Sequence, residues 1–357
     1  MITVLSAVVV LGVLIFVHEL GHFLVAKRAG VGVTTFSLGF GPKLLGFTKG
    51  GTEYRLSAIP LGGFVRMVGE HSDEELAPED VPIAFTHKPV GWRLAIVAAG
   101  PVANLIFAVL VYYLIIAGWG LPTLTARVGG VAPGEPAAVA GVMKDDLVVA
   151  VGDRPVRRWG DMASAILNSG GQPVRLTLLR EGREISLTLQ PRTVTVKDIF
   201  GEEHRVYRVG ILSSGEAVIQ RVGPLEAARL ALEKSYTAGE LIVLSVVKLF
   251  EGKVALDNLG GPIQIGQAAG QAARMGLVEF LSLMAILSVN LAILNLLPIP
   301  ALDGGHVFFF VWEAVTRKPV PVALRERAQQ VGVALLIMLM GFVIYNDIAR
   351  LVTGAAQ

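Results

Sequence analysis

The sequence predicts a multi-span α-helical membrane protein, with four transmembrane helices and a β-rich domain inserted between the second and third. Three observations predict it. Hydrophobic residues make up 53% of the chain and charged residues only 17%, against about 25% charged in a typical soluble domain. Mean hydropathy is +0.62. The apolar residues also fall in blocks near the 20 or so residues that a bilayer crossing needs. Between two of those blocks, residues 124–225 are rich in charge, glycine and alternating β-branched positions.

The four blocks are residues 2–26, 94–119, 279–298 and 330–346 in outline. The first opens Met1-Ile2-Thr3-Val4, with no basic region before it and no small-residue cleavage site after it. It reads as a retained helix, not a signal peptide. The last is short and is expected to tilt or recruit its flanks. In the polar insert, Val174-Arg175-Leu176-Thr177-Leu178 and Glu184-Ile185-Ser186-Leu187-Thr188-Leu189 alternate with period two, the mark of half-buried strands. Residues 226–250 form a further helical segment whose apolar positions (Ala227, Leu230, Leu232, Leu241, Leu244, Val247) lean to one face among Glu233, Lys234 and Lys248. That polarity favours a place on the membrane surface. A fifth crossing is the rival reading, and it would break the charge pattern of the loops. The predicted organisation is therefore 1–123 and 279–357 as two halves of a membrane core, 124–192 as the inserted domain, and 193–278 as linker and surface helix.

Charge sets orientation and excludes some classes. A net charge of +2, with no basic cluster interleaved with aromatics, argues against nucleic acid. With no cysteine, disulfides and thiolate metal sites are excluded. Lys27 and Arg28 follow the first span, and Arg317, Lys318, Arg325 and Arg327 outweigh Glu313 and Glu326 in the 313–329 connection. Basic loops stay cytoplasmic, which puts both termini and the 124–192 domain outside the cytosol. The acidic Asp73-Glu74-Glu75 in the first loop runs against this pattern.

The chemistry concentrates in His18-Glu19-Leu20-Gly21-His22, inside the first span. Positions i and i+4 share one helix face, so the two imidazoles can hold one metal ion with Glu19 beside them. Zinc held this way keeps a position for water and lowers its pKa to about 7. Glu19 is then placed to accept the water proton and pass it to the leaving amine. Three ionisable groups within an apolar span point to function, since burial in lipid is costly. A chance match or a helix cap is the plain alternative.

The third ligand expected is Asp303, in Asn295-Leu296-Leu297-Pro298-Ile299-Pro300-Ala301-Leu302-Asp303-Gly304-Gly305. Pro298 and Pro300 stop the helix, and Gly304 and Gly305 are expected to form a tight turn. A helix rise of 1.5 Å per residue puts His18 about 24 Å from the start of its span. Asp303 ends a span running the same way, so both reach one depth, near the cytoplasmic face. Asn295, a turn before the break, is a candidate donor to a substrate carbonyl or oxyanion, with helix–helix bonding as its alternative. Asn104 is expected to kink and bind the second span to its neighbours. His71, His87 and His204 are expected to be solvated, and His306 to be structural. His₂Asp suits zinc, although iron, cobalt or manganese fit the same donors.

These motifs resemble the site-2 protease family of intramembrane metalloproteases, in its bacterial RseP type. The HExxH lies in the first span, Gly100-Pro101-Val102-Ala103-Asn104 matches the family's GPxxN segment, and residues 295–305 match its NxxPxPxLDGG segment. The resemblance covers nearly the whole chain and implies a zinc endopeptidase with four spans and an extracytoplasmic PDZ domain in the bacterial inner membrane. Val131-Ala132-Pro133-Gly134-Glu135-Pro136-Ala137-Ala138-Val139-Ala140-Gly141 and Leu147-Val148-Val149-Ala150-Val151-Gly152-Asp153-Arg154-Pro155-Val156 resemble the PDZ opening and its following strand. Asp145-Asp146 stands where Gly-Asp is usual. Residues 193–225 look strand-like yet too short for the second PDZ domain that some members carry.

The resemblance further implies that a membrane-associated β-region near 50–68, containing Gly62 and Gly63, presents substrate as an added strand; an ordinary amphipathic hairpin is the alternative. It implies substrates that are single-span membrane proteins in the lipid bilayer, such as anti-sigma factors already cut outside the membrane or remnant signal peptides. The PDZ domain would then contact the substrate ectodomain or C-terminus as a dock or size filter. Two rivals carry different expectations. A non-catalytic PDZ scaffold would lack Glu19 or a ligand, and a metal transporter would spread its ligands over several spans.

Overall fold

The structure, a computed structural model, describes residues 1–70, 76–254 and 260–353. His71 and the acidic stretch Asp73-Glu74-Glu75 lie outside the described residues. The chain divides into two compact units, residues 1–115 with 225–357, and residues 116–224.

Among the described residues the first unit holds four helices long and apolar enough to cross a membrane: α1 (Ile2–Arg28), α2 (Val90–Trp119), and two further on in the chain, at 277–296 and 322–352. The first, second and fourth sequence blocks fall inside them, and the third, 279–298, overruns its helix by Leu297 and Pro298. In α1 the buried residues Ser6, Val10, Leu14, His18, His22 and Ala26 recur every four positions, so one stripe faces inward and carries both histidines with it.

After α1 comes a long hairpin, β1 (Val33–Lys49) and β2 (Thr52–Met67), bent back on itself. Val33 to Leu38 pair with Met67 to Gly63 on one side; on the other, Thr35 to Leu38 register with Glu53 to Leu56. The outer part pairs Lys43 with Ser57 through Lys49 with Thr52. Residues 63–67 are thus the outer edge on the α1 side, with no further strand against them among the described residues. Phe36, Val65, Met67, Phe85 and Ile96 pack this edge onto α1 and α2.

The second unit is the inserted domain. Helices α3 (Pro136–Val139) and α4 (Trp159–Leu167) accompany ten strands. Four form a sheet in the order β6 (Arg154–Pro155), β5 (Leu147–Val151), β7 (Val174–Arg180), β8 (Arg183–Leu189). The two segments with period-two alternation are β7 and β8. Three antiparallel pairs complete it: β3 (Leu121–Leu124) with β12 (Ala217–Gln220), β4 (Val128–Val131) with β11 (Ile211–Ser213), and the hairpin β9 (Arg192–Lys197) and β10 (Glu203–Arg208). Val209 and Ile211 enter the same core as Val128, Leu176 and Leu178. The expected boundary at 192 therefore falls inside this unit, because its last strands return to pair with its first. Asp145 sits at φ 73°, a left-handed position that explains why glycine is usual there. Asp146 is 1% exposed and takes two 2.7 Å bonds from Arg180 and one from the Met143 amide.

Past the insert, α5 (Pro224–Phe250) is not among the helices of membrane-crossing hydropathy. Next come α6 (Pro262–Met275), α7 (Leu277–Leu296), α8 (Asp303–Thr316) and α9 (Val322–Thr353). Small residues let α6 lie on α1: Gly266 faces Ala7 and Gly270 faces Thr3. The Asp347 carboxylate of α9, 4% exposed, accepts the amides of Gly261, Ile263 and Gln264, capping α6. The last span is 31 residues by hydropathy, so the short block recruits its polar N-terminal flank.

Candidate metal centre

Three helices from distant parts of the chain build the centre. His18 and His22 come from the inward stripe of α1, and Asp303 is the first residue of α8. His18 Nε2 lies 3.2 Å from His22 Nε2 and 3.1 Å from Asp303 Oδ2, and His22 Nε2 lies 3.6 Å from the same oxygen. A tetrahedral ion with ligands at about 2.0–2.1 Å sets neighbouring ligand atoms about 3.3 Å apart. The triangle matches one face of that tetrahedron. The Asp303 Oδ2 atom is buried with no well-directed hydrogen bond, as suits an oxygen that meets a cation. The donor set fits zinc.

Helix α2 shapes the space around the imidazoles. His22 Nδ1–H donates to the Ile96 carbonyl at 2.8 Å, which leaves its Nε2 lone pair for the metal. His18 Nδ1 lies 3.3 Å from the Asn104 side-chain amide, whose Oδ1 is otherwise a buried acceptor without a partner. Turned about its last torsion, the amide presents Oδ1 to His18 Nδ1–H, and both groups are satisfied. The Asn104 backbone carbonyl also accepts from Ser288 of α7 at 2.8 Å. The expected binding of spans is real, and the contact to His18 is what the sequence did not reveal. A Cβ on Gly100 would strike His22 Nε2 and come within 2.9 Å of His18 Cε1. One on Gly21 would strike the Ala99 carbonyl, so this glycine sets the close α1–α2 crossing.

The Pro-rich segment differs from expectation in one respect. Helix α8 starts at Asp303 itself, so Gly304 and Gly305 are helical and buried, not a turn. A Cβ on either would strike the backbone of residues 296–297 or 299–300. The glycines serve close approach of α8 to the preceding loop, which fixes Asp303 against α1. Arg93 of α2 clamps the same helix through two bonds to Glu313, at 3.1 and 2.6 Å, with its guanidinium 5.0 Å from the Phe310 ring centre.

A cavity of about 340 Å³ opens on the triangle, lined by Glu19, by Phe64, Val65 and Met67 of β2, and by His306. Asn295, Gly62 and Gly63 do not line it. Gly63 nevertheless lies against Glu19: a Cβ there would sit 3.2 Å from Glu19 Cγ and 2.8 Å from the Ser37 carbonyl. His87 is exposed. His204 is exposed and bonds Asp198 at 2.9 Å, where the Asp198 carboxylate also closes the β9–β10 turn through the amides of Phe200 and Glu202.

Membrane-length helices around a His, His, carboxylate triangle with a further carboxylate beside it define a class, the zinc metalloproteases built into membranes. A model of peptidase family M50 matches residues 6–339, and the chain belongs to that family. It is a zinc metalloprotease, as the site-2 protease motifs indicated. It is 35% identical to "Putative zinc metalloprotease mll0638" of Mesorhizobium japonicum, over 97% of this chain and 98% of the relative. It is 33% identical to "Regulator of sigma E protease" of Salmonella typhimurium, over 96% and 98%. That alignment spans 440 positions, so the Salmonella protein carries stretches absent from the 357 residues here.

Proposed function

We propose that His18, His22 and Asp303 hold the zinc of this intramembrane protease, that Glu19 is its catalytic base, and that it cleaves single-span membrane proteins within or near the bilayer. The observation that carries the reading is the 3.1–3.6 Å triangle of ligand atoms opening on the cavity that Glu19 lines. Zinc, when bound, supplies Lewis acidity for water and for the scissile carbonyl. Glu19 takes one proton from the attacking water and later delivers it to the leaving amine nitrogen. The outer edge of β2, residues 63–67, lies beside Glu19 with no further strand against it among the described residues, its Met67 amide held by Glu70, and a substrate strand added there brings an unwound peptide bond to the site. Gly63 lets this edge lie close to Glu19, since a Cβ there would press on Glu19 Cγ and the Ser37 carbonyl.

In this reading the cavity lies near the cytoplasmic face, since Lys27 and Arg28 end α1 about 9 Å beyond His22. Both termini and residues 116–224 then lie outside. Residues 116–224 form one PDZ domain that meets the substrate ectodomain or C-terminus and filters by size. Anti-sigma factors trimmed outside the membrane, or remnant signal peptides, fit such a filter, and the sigma E regulator named among the relatives supports the first. The test is cleavage of a labelled single-span substrate by purified protein in detergent. Chelation and Glu19→Gln should each abolish it, with zinc restoring only the chelated wild type. Equal cleavage by wild type and Glu19→Gln would remove Glu19 as the base. Replacing 120–223 with a short Gly/Ser linker should admit longer ectodomains, and unchanged size selectivity would remove the filter.

A further inference from the structure

The cavity over the triangle is rich in acceptors and poor in donors. Glu19, Glu70, Asp303 and Glu326 all line it. Attack of water on a peptide carbonyl shifts the C=O π pair onto oxygen, and a hydrogen-bond donor adds to whatever stabilisation the metal gives the resulting oxyanion. Besides the two metal-binding imidazoles, the lining offers three donor side chains, His306, Arg325 and Gln329. Arg325 already has a partner. Gln329 lies towards the rim, where it also lines a groove along the outside of α9. His306 is different on both counts. It is half-buried, and among the described residues neither ring nitrogen has a hydrogen-bond partner. It sits on α8 three residues after Asp303, and side chains at that spacing are neighbours about 5–6 Å apart at Cβ. The helix that delivers the third ligand therefore holds an uncommitted imidazole on the same face, in the lining of the cavity over the triangle.

We propose that His306 is a catalytic residue that donates a hydrogen bond to the carbonyl oxygen as it becomes an oxyanion. No proton leaves the imidazole: the water proton goes to Glu19, the oxyanion pair reforms C=O, and the C–N bond breaks as Glu19 protonates the amine. This assigns to His306, expected from sequence to be structural, a role for which Asn295 was one candidate, and it rests on the metal reading above.

The experiment compares His306→Ala, His306→Phe and His306→Gln in the full chain in detergent, reading kcat, KM and bound zinc. Phe keeps the ring volume without a donor, and Gln restores one. The expected result is full zinc and unchanged KM in all three. For Ala and Phe, kcat should fall about 10²–10³-fold, and Gln should recover at least about tenfold. Three results would overturn the inference: kcat of His306→Phe within threefold of wild type, zinc lost from the Ala and Phe variants, or a raised KM with kcat kept. Failure of the metal reading has a separate signature, a wild type that binds no zinc or a Glu19→Gln variant that still cleaves.

Discussion

Gly100→Ala tests the metal triangle without touching a ligand. The added Cβ would lie 2.7 Å from His22 Cε1 and 2.9 Å from His18 Cε1, whereas carbon pairs rest at about 3.5–4.0 Å. The rings must therefore retreat by roughly 0.6–1 Å, several times the tolerance of about 0.2 Å on metal–ligand distances. Overpacking of this kind costs about 1–3 kcal/mol. The rings are the movable part, so the cost falls on metal binding as a roughly 5- to 150-fold rise in the zinc dissociation constant. Competition with a chromogenic chelator in detergent measures it, and circular dichroism checks that the helices persist. Gly91→Ala on the same helix is the control, because no heavy atom lies within 4 Å of its Cβ position. If Gly100→Ala bound zinc within twofold of wild type while fully helical, the imidazoles would not meet a metal where the geometry puts them.

Further expectations concern the supports of the site and the two units. Asn104→Ala should weaken zinc roughly 10- to 100-fold by freeing the His18 ring, read in the same chelator assay, with Asn104→Asp recovering part of it. Asp347→Ala strips an acceptor from the three amides of Gly261, Ile263 and Gln264. Hydrogen exchange there should accelerate by a factor corresponding to about 1–3 kcal/mol. Burial raises the Asp146 carboxyl, but bonds from Arg180 and the Met143 amide lower it more, leaving it below 3.8. Its contribution to the 116–224 unit is thus full above that value and lost as pH falls through the lower folded value. Protease sensitivity of the unit in the full chain should rise only at strongly acidic pH, and Asp146→Asn should flatten that rise.

What was legible in the sequence followed from local physics. A run of apolar residues long enough for a bilayer declares itself, and so does His18-Glu19-Leu20-Gly21-His22, since an i, i+4 pair inside such a run has one inward face. The place of Asp303 at the depth of the two histidines was legible because Pro298 and Pro300 announce a break. The roles of its neighbours were not, because they depend on what packs nearby. Gly304 and Gly305 look like turn residues until the backbone of 296–300 is seen pressed against them. Asn104 meets His18 across 86 positions of sequence, and nothing around Asn104 signals an imidazole. The end of the inserted domain was hidden for the same reason. β11 and β12 are short strands whose partners, β4 and β3, lie some 80 residues or more earlier, so residues 193–225 look strand-like without showing which domain they complete.

The distance along the chain between the two histidines and the aspartate has a consequence for biogenesis. Asp303 is made about 280 residues after His22, which at 5–20 residues per second is roughly 15–60 s later. Until then the nascent chain has two imidazoles and a carboxylate within a membrane but no complete metal cage. On the proposed ligand set, a chain that stalls or is truncated before α8 lacks its third ligand, so proteolytic competence waits for the last part of the polypeptide.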